Sequence, residues 1–478
     1  MTEFAFRGAH GDNLPTVRLQ KVVLDHYKSV THGELVLPCG RRFVPYGEQS
    51  DILGLYGQNG SGKTALIEAM AVMMALMRGA RVPPVYAECV QQGQPSARLA
   101  FTFELQYPDG DVRKFVYAFS LRAEPVPEAD RDQGHPDNPF FRGSSRVCVF
   151  DEQISVMGTF RGEQRKLQVL LDSAPERPPF GPASKAKYFY RRTPEKDMTL
   201  SVSRALAQEM SRSFFFSEET LRLFDSEGED MYSPYYQMLL EMQFYARYYL
   251  FVLDTKSAGM IRLNMYLPIY LPAVRLRIDA DSLLKIDASL VPQAREMLAR
   301  LNTVLGSLIP GMRLNCRQAE GREEGTLLIT ACRGDTEIPV QMESDGVRRL
   351  ISTLNLLIRV YNDPSVTVAI DEFDAGVFEY LLGEVLRTLQ HSGKGQFIFT
   401  AHNLRPLEVL NKESICFTTA NPENRYYRMK NIGRTNNLRD VYFREILFRE
   451  QDETVYAATS TEEIAAAFHR ASPFGPQP

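Results

Sequence analysis

Residues 53–70, LGLYGQNGSGKTALIEAM, join two apolar runs through a glycine-rich turn. The first run predicts a buried strand, and the apolar residues after the turn recur with the period of a helix. The turn itself matches the pattern G-x4-G-K-[ST], which is typical of a phosphate-binding P-loop. The stretch therefore predicts a strand, a P-loop and a helix in that order.

The P-loop pattern predicts a role for each of its residues. The glycines let backbone N–H groups turn toward a phosphate, and Lys63 is expected to reach the β- and γ-phosphates during binding and catalysis. Thr64 is expected to offer its hydroxyl to Mg²⁺ at a helix N-terminus, where the dipole favours anions. The predicted nucleotide contacts are Gly57, Asn59, Gly60, Ser61, Gly62, Lys63 and Thr64. The alternative, a glycine-rich turn without a ligand, is disfavoured by the strand and helix on either side.

Composition limits the class of protein. The chain has 478 residues, 44% of them apolar and 24% charged, which is typical of a globular protein of about two to three domains. A net charge of −4 gives no overall attraction to nucleic acid or membrane, so any DNA contact would be local. Six dispersed cysteines without a C-x-x-C pair disfavour a zinc site or a disulfide framework. No leader or membrane-length apolar run is evident, and a cytoplasmic location without membrane contact is expected.

The remaining chain predicts a mixture of β-structure and helices. Residues 17–37 and 97–121 alternate apolar and polar residues around a turn, which predicts two β-hairpins. In the first hairpin, Tyr27 and Lys28 are either nucleotide contacts or exposed turn residues. Residues 200–248 change to a helical period. Residues 450–478 predict only a weak helix and a tail of low structural value.

A second motif, VTVAIDEFD at residues 366–374, is an apolar strand that ends in acidic residues. This position lets Asp371 hold the Mg²⁺ shell and lets Glu372 orient or deprotonate the attacking water. Alone, the motif also fits a strand followed by an acidic turn. The P-loop upstream favours the catalytic interpretation.

Two further motifs flank this strand. In ESDGVRR, residues 343–349, Ser344 opens a helix whose N-terminus can bind an anion, although Ser344 also fits a plain N-cap. In QFIFTAHN, residues 396–403, His402 ends the next buried strand and is expected to reach the γ-phosphate or the catalytic water. One helix, predicted at residues 376–391, separates the two strands, as in a β-α-β unit.

Together, GQNGSGKT, ESDGVRR, VTVAIDEFD and FTAHN resemble the ABC-type ATPases that include SMC proteins, DNA double-strand-break repair ATPases and the OLD family. The resemblance covers roughly residues 17–445. It implies ATP and Mg²⁺ as cofactors and a homo-oligomer in which Ser344 and Gly346 of one subunit close over the nucleotide held by another. It also implies a Mg²⁺-contacting glutamine between residues 77 and 106. The candidates for that glutamine are Gln91, Gln92, Gln94 and Gln106.

The fold class that follows is α/β: an ABC-type P-loop NTPase head with a mixed sheet, an antiparallel β-subdomain and an inserted helical subdomain. We expect the first half of the head at residues 1–198 and the helical insert at 199–288. The second half, with the signature residues Ser344 and Gly346, the acidic strand and His402, is expected at 289–450. A C-terminal tail is expected at 451–478.

The departures from that family are equally informative. There is no sustained heptad run and no C-x-x-C hook, and the sequence after His402 is too short for a TOPRIM nuclease domain. Residues 244–270 and 431–446 are similar to ATPase subunits of bacterial anti-phage systems, nearest to the PARIS type and then the Septu type. That resemblance implies a separate nuclease effector, TOPRIM or else HNH, and a phage trigger protein. The alternative is an ATP-dependent DNA-binding clamp of the SMC or repair type, and a small-molecule kinase is disfavoured because no acceptor site is evident.

Overall fold

The computed structural model describes most of the chain. The described residues are 14–40, 50–126, 145–160, 163–174, 179–181, 183–225, 233–254, 262–265, 274–278, 281–430, 437–449, 451–457 and 459–471. The two segments that resemble anti-phage ATPases, residues 244–270 and 431–446, lie partly outside these ranges. Within these ranges, no helix combines the length and the apolar character needed to cross a membrane.

The described elements are numbered in chain order. The strands are β1 (Thr16–Tyr27), β2 (Val30–Val36), β3 (Asp51–Tyr56), β4 (Ala97–Gln106), β5 (Val112–Pro125), β6 (Ser145–Phe160), β7 (Glu163–Asp172), β8 (Leu250–Leu253), β9 (Arg262–Met265), β10 (Val274–Arg277), β11 (Leu283–Lys285), β12 (Met312–Gln318), β13 (Thr326–Arg333), β14 (Thr336–Pro339), β15 (Thr367–Ile370), β16 (Gln396–Thr400), β17 (Ile415–Thr418) and β18 (Tyr426–Tyr427). The α-helices are α1 (Lys63–Met77), α2 (Pro194–Glu209), α3 (Glu218–Asp225), α4 (Pro234–Tyr248), α5 (Val291–Leu308), α6 (Asp345–Asn362), α7 (Glu379–Ser392), α8 (Arg405–Val409), α9 (Leu438–Phe448) and α10 (Thr461–Ala471).

A six-stranded sheet carries the predicted motifs, in the order β18-β17-β3-β16-β15-β8. Its strands run parallel except for the edge strand β18. Strands β3, β15 and β16 are buried along their whole length, because apolar runs of this kind can be covered on both faces of a parallel sheet. The carboxyl ends of these strands meet at one edge, so the P-loop, the acidic turn and the segment with His402 emerge side by side.

The helices around this sheet agree with the sequence patterns. Helix α1 follows β3 directly and is buried along nearly all of its length. Helix α7 connects the parallel neighbours β15 and β16, which confirms the predicted β-α-β unit. The observed helix begins at Glu379, three residues after the predicted start, because the loop before it folds into turns.

A second six-stranded sheet, β2-β1-β4-β5-β6-β7, is antiparallel throughout. Both predicted hairpins are present as β1-β2 and β4-β5. The turn between β4 and β5 is closed by Gly110, which has φ 92° and donates its N–H to the carbonyl of Tyr107 at 3.0 Å. Alternate residues of β4 are buried, so one face of this sheet covers a core.

The stretch predicted to be helical, residues 200–248, forms α2, α3 and α4. Aromatic residues of this stretch, including Phe214 and Phe215, belong to the hydrophobic core that also contains the side chains of both six-stranded sheets. Strand β8 follows α4 and pairs with β15. The segment predicted as a helical insert thus also supplies a strand to the parallel sheet, and the boundaries at 198, 288 and 450 stay predictions.

A smaller core lies beneath a third sheet, in which β13 pairs with β11, β12 and β14. Helix α5 buries Leu298, Leu301 and Leu305 against it. Helix α6 contributes to both cores, since Ile351 packs in the smaller one and Leu356 in the larger one. The helix with the predicted signature residues therefore connects the two packed units.

The expectation that the C-terminal tail has low structural value is wrong for its first part. Val455 is 1% exposed and packs in the larger core. The carbonyl of Thr454 accepts a hydrogen bond from the N–H of Ala420 at 2.7 Å. The N–H of Ala457 donates to Oε1 of Gln58, a P-loop residue, at 3.0 Å. A single buried valine in a polar stretch has no periodicity that the sequence could reveal. Helix α10 farther on has no buried residues.

Candidate nucleotide-binding site

The glycines of the P-loop are required by its backbone and its neighbours. Gly57 has φ 151°, and an added Cβ would overlap the hydroxyl of Thr418 at the end of β17. Gly62 has φ 94° and lies immediately before α1. Side chains rarely adopt these left-handed conformations, so glycine permits the sharp entry into the helix. Lys63 and Thr64 thus become the first two residues of α1.

Lys63 is folded back onto its own loop. Its Nζ donates to the carbonyl oxygens of Gly57 at 2.7 Å and of Gln58 at 3.0 Å. Burial lowers the pKa of the ammonium group, while the nearby carboxylates of Asp371, Asp374 and Glu372 act in the opposite direction. The ammonium group therefore lies between the loop and the acidic end of β15, where a phosphate could replace the carbonyl contacts.

Asp371 is fully buried at the end of β15. Its Oδ1 accepts hydrogen bonds from the hydroxyl of Thr400 at 2.6 Å and from that of Thr64 at 3.4 Å. Its Oδ2 is buried and has no hydrogen-bond partner among the described residues. A buried carboxylate oxygen without a partner is costly, and a cation would remove that cost.

The donor set around Asp371 fits Mg²⁺. Carboxylate and hydroxyl oxygens are hard ligands, which Mg²⁺ prefers, and it is usually held by one or two protein groups together with phosphate oxygens. Thr64, which follows β3, and Asp371, which follows β15, supply such groups from the two strands that flank β16. The observation that makes these residues suitable is the buried Oδ2 of Asp371, which has no hydrogen-bond partner in the described part of the chain.

Glu372 follows in a conformation that is rare for a side-chain-bearing residue. Its φ is 50°, and its N–H donates to the hydroxyl of Thr400 at 2.7 Å. Left-handed residues of this kind are strained and occur preferentially at functional sites. The carboxylate is only partly buried, so a water molecule can approach it.

His402 lies in a loop that is held by Asp374. One oxygen of Asp374, Oδ2, accepts the backbone N–H groups of His402 at 2.8 Å and of Asn403 at 2.6 Å. The His402 residue itself is exposed. The structure thus brings Glu372 and His402 to adjacent loops at the same edge of the sheet.

Ser344 and Gly346 begin α6 and differ in their surroundings. Ser344 is exposed and acts as the N-cap, with its hydroxyl accepting the N–H of Val347 at 3.5 Å. Gly346 is buried, and an added Cβ would overlap the carbonyl oxygen of Gly376 in the loop after Glu372. The N-terminus of α6 therefore packs against the acidic loop of the same chain, while Ser344 faces solvent.

The other predicted P-loop residues divide into two groups. Asn59 and Gly60 are exposed. The hydroxyl of Ser61 is turned into the protein, where it donates to the carbonyl of Gln58 at 2.5 Å and also contacts the hydroxyl of Thr418. The exposed tip of the loop is thus the part that is open to a second molecule.

The structure shows contacts within the protein for several residues whose role at the nucleotide the sequence did not decide. Tyr27 is fully buried at the end of β1, so the prediction of an exposed turn residue is wrong for it. The ammonium group of Lys28 pairs with Glu68 of α1 at 2.6 Å. Among the candidate glutamines, Gln91 donates to the hydroxyl of Thr31 at 3.2 Å and Gln106 donates to Glu104 at 3.3 Å. The Mg²⁺-contacting glutamine remains unassigned.

Two residues near the acids were missed in the sequence. Thr400 contacts both Asp371 and Glu372, and Arg349 of α6 donates to the backbone carbonyl of Asp371. Burial lowers the pKa of the Arg349 guanidinium, although the carboxylates of Glu372, Asp371 and Asp374 oppose this effect. Arg349 lies in the motif ESDGVRR and Thr400 in QFIFTAHN. The pairing of β16 with β15, which places Thr400 beside the acids, is the signal that would have identified it.

The fold and the site define a mixed α/β protein with several sheets and a P-loop at the carboxyl edge of the parallel sheet. No family model and no curated protein matches the sequence. The solved structures that are similar to it include three SMC head domains.

The first is an SMC head bound to the C-terminal winged-helix domain of ScpA, with 15% identity, coverage of 86% of this chain and 96% of that chain, and a TM-score of 0.39. The second, an SMC head with an extended coiled coil bound to the C-terminal domain of ScpA, from Pyrococcus furiosus, has 12% identity, coverage of 86% and 96%, and a TM-score of 0.38. The third, the SMC head domain from Thermotoga maritima, has 12% identity, coverage of 87% and 100%, and a TM-score of 0.33. At these TM-scores the matches carry no functional argument, and the functional evidence is the geometry of the site.

Proposed function

We propose that this protein is a Mg²⁺-dependent ATPase with an ABC-type head. The observation that carries the proposal is the meeting of Lys63 and Thr64 with Asp371, whose buried Oδ2 has no partner among the described residues. The ammonium group of Lys63 can then bind the phosphates, and the buried Oδ2 of Asp371 can bind a metal. Both lie near Glu372, a carboxylate that water can reach. This combination is suited to phosphoryl transfer to water.

Each residue of the site then has a distinct part in hydrolysis. Lys63 would leave its carbonyl contacts to bind the phosphates, and Thr64 and Asp371 would hold Mg²⁺, which would supply positive charge to neutralise the phosphates. Glu372 would orient the attacking water and accept its proton while the water oxygen bonds to the γ-phosphorus and the bond from that phosphorus to the oxygen of the leaving ADP breaks. His402 approaches the γ-phosphate from the neighbouring loop.

The proposal is tested by measuring ATP binding and ATP hydrolysis of the purified chain. Lys63→Ala should abolish nucleotide binding, because the phosphates lose their cation. Glu372→Gln should keep ATP binding and lose hydrolysis by at least about a hundredfold, since the amide cannot accept the proton. Glu384→Gln, on the partly exposed surface of α7, is the matched control and should leave both unchanged. A wild-type chain that neither binds nor hydrolyses ATP would refute the proposal.

We further propose that two copies enclose the nucleotide, and that the ATPase holds or releases a separate nuclease effector when a phage trigger protein is sensed. The support is the resemblance of residues 244–270 and 431–446 to anti-phage ATPase subunits. The neighbouring reading frames should then encode a nuclease with a TOPRIM or HNH pattern.

Gel-shift titration with DNA at two salt concentrations, with and without ATP, distinguishes this function from that of a DNA-binding clamp. DNA binding that depends on ATP and weakens with salt would favour the clamp function instead.

A further inference from the structure

Thr400 is the last residue of β16, and its hydroxyl joins the two acids of the site. The residue is fully buried. Its Oγ1 donates to Oδ1 of Asp371 at 2.6 Å and accepts the N–H of Glu372 at 2.7 Å. A hydroxyl has a single proton, so the proton goes to the carboxylate and a lone pair receives the amide. The direction of both hydrogen bonds is therefore fixed.

We propose that Thr400 is a positioning residue that orients Asp371 for the metal and holds the turn that carries Glu372. The proposal rests on the ATPase function proposed above. It concerns a residue that contacts neither the expected nucleotide nor the expected metal, but acts through the two acids that do.

The effect on Asp371 follows from the distribution of its hydrogen bonds. Both hydroxyl donors, Thr400 and Thr64, contact Oδ1, and Oδ2 is left without a partner among the described residues. The shorter bond comes from Thr400, so this residue provides the main restraint on rotation of the carboxylate. With Oδ1 occupied, Oδ2 is the oxygen available to Mg²⁺. Loss of the hydroxyl would let the carboxylate rotate away from this orientation.

The effect on Glu372 follows from its backbone. A side-chain-bearing residue with φ 50° is strained and keeps this conformation only where its surroundings enforce it. Thr400 contributes to that enforcement twice, since its hydroxyl accepts the N–H of Glu372 and its carbonyl accepts the N–H of Phe373 at 3.0 Å. The side-chain bond is the one that a substitution can remove without changing the backbone.

The experiment compares three substitutions. Thr400→Val removes the hydroxyl and keeps the shape, and Thr400→Ser restores the hydroxyl. Thr367→Val is the matched control, because Thr367 is also fully buried, lies on the adjacent strand β15 and donates to Oε1 of Gln396 at 3.2 Å at the opposite end of the sheet. Three quantities are measured for each protein: Mn²⁺ binding in the presence of ADP by electron paramagnetic resonance, the Mg²⁺ dependence of ATP hydrolysis, and the urea midpoint of unfolding.

Thr400→Val should weaken Mn²⁺ binding and raise the half-saturating Mg²⁺ concentration by about tenfold or more, and lower kcat by a similar factor. Thr400→Ser should recover both to within about threefold of wild type, since its hydroxyl can make the same two bonds. Thr367→Val should lower the urea midpoint without changing metal binding or kcat. If Thr400→Val does not fold, Thr400→Ala, which removes the same hydroxyl, must show the same loss.

Equal behaviour of Thr400→Val and Thr367→Val in metal binding and kcat would overturn the positioning role and leave the ATPase function standing. Failure of Thr400→Ser to recover metal binding would overturn it as well. If the wild-type chain binds no Mn²⁺ with ADP and hydrolyses no ATP, both proposals fall together. The wild-type measurement thus distinguishes failure of the function from failure of Thr400 alone.

Discussion

The carboxyl group of Glu241 is buried in α4 between two hydrogen-bond donors. The hydroxyl of Tyr107 donates to its Oε2 at 2.6 Å, and the amide of Gln237 donates to its Oε1 at 2.9 Å. Burial raises the pKa of this carboxyl from 4.5 to about 7, because it outweighs the opposite effect of these donors and of Arg113. Folding therefore favours the protonated form, so the free energy of unfolding should fall as pH rises from about 4.5 through about 7.

Glu241→Gln should remove this part of the pH dependence. The variant should match wild type near pH 4.5 and exceed its free energy of unfolding at pH 8 by up to about 3 kcal/mol, because the amide carries no charge to bury. Urea unfolding at several pH values measures the difference. Glu152, whose pKa burial also raises, remains in both proteins and cancels in the comparison. A difference that does not change with pH would contradict the prediction.

At the scale of elements, the N-terminus of α6 packs against the acidic loop that follows Glu372. Gly346→Ala should force the carbonyl of Gly376 to move, because an added Cβ would overlap it. We expect a loss of about 1–3 kcal/mol in stability, as for other overpacked sites, together with at least about a tenfold loss of ATP hydrolysis. Unfolding in urea and steady-state hydrolysis measure the two effects.

Gly306→Ala in α5 is the matched control for that substitution. The nearest atom to its added Cβ is the carbonyl oxygen of Met312 at 3.9 Å, which is an ordinary contact. Alanine in a helix interior should stabilise this variant by up to about 1 kcal/mol. Equal hydrolysis rates for the two variants would show that the α6 contact does not affect the site.

The C-terminal segment provides a second prediction at this scale. A chain that ends at residue 450 should lose about 3 kcal/mol of stability, because it loses the buried side chain of Val455 and the backbone bond between Thr454 and Ala420. A chain that ends at residue 460 lacks only α10 and the residues after it, and α10 has no buried side chains, so it should unfold like wild type. The midpoints of thermal unfolding of the two truncated chains measure the difference. Equal midpoints would show that residues 451–460 do not stabilise the fold.

For the whole molecule, the sequence predicted those features that depend on local patterns. Glycine spacing and apolar runs are local, and they predicted the P-loop, the β-α-β unit and both hairpins. The bonds of Thr400 depend on how β15 and β16 pair, with Ile370 opposite Phe399, and no local pattern contains that register. The placement of β8 beside β15 likewise depends on distant parts of the chain.

The final prediction concerns the meeting of two copies. Ser344 at the start of α6 and Asn59 and Gly60 at the tip of the P-loop are all exposed, so both surfaces of the proposed nucleotide sandwich are open in one chain. The Glu372→Gln protein with ATP and Mg²⁺ should therefore have twice the mass of one chain by light scattering at micromolar concentration. The two copies should stay together because the bound ATP is no longer hydrolysed. Adding Ser344→Arg should return it to one chain, because the long side chain would overlap the phosphate-filled loop of the other copy. Adding Ser307→Arg, at an exposed serine of α5, should leave the doubled mass unchanged. A Glu372→Gln protein that binds ATP and stays at the mass of one chain, or one that doubles despite Ser344→Arg, would show that the nucleotide is not enclosed in this way.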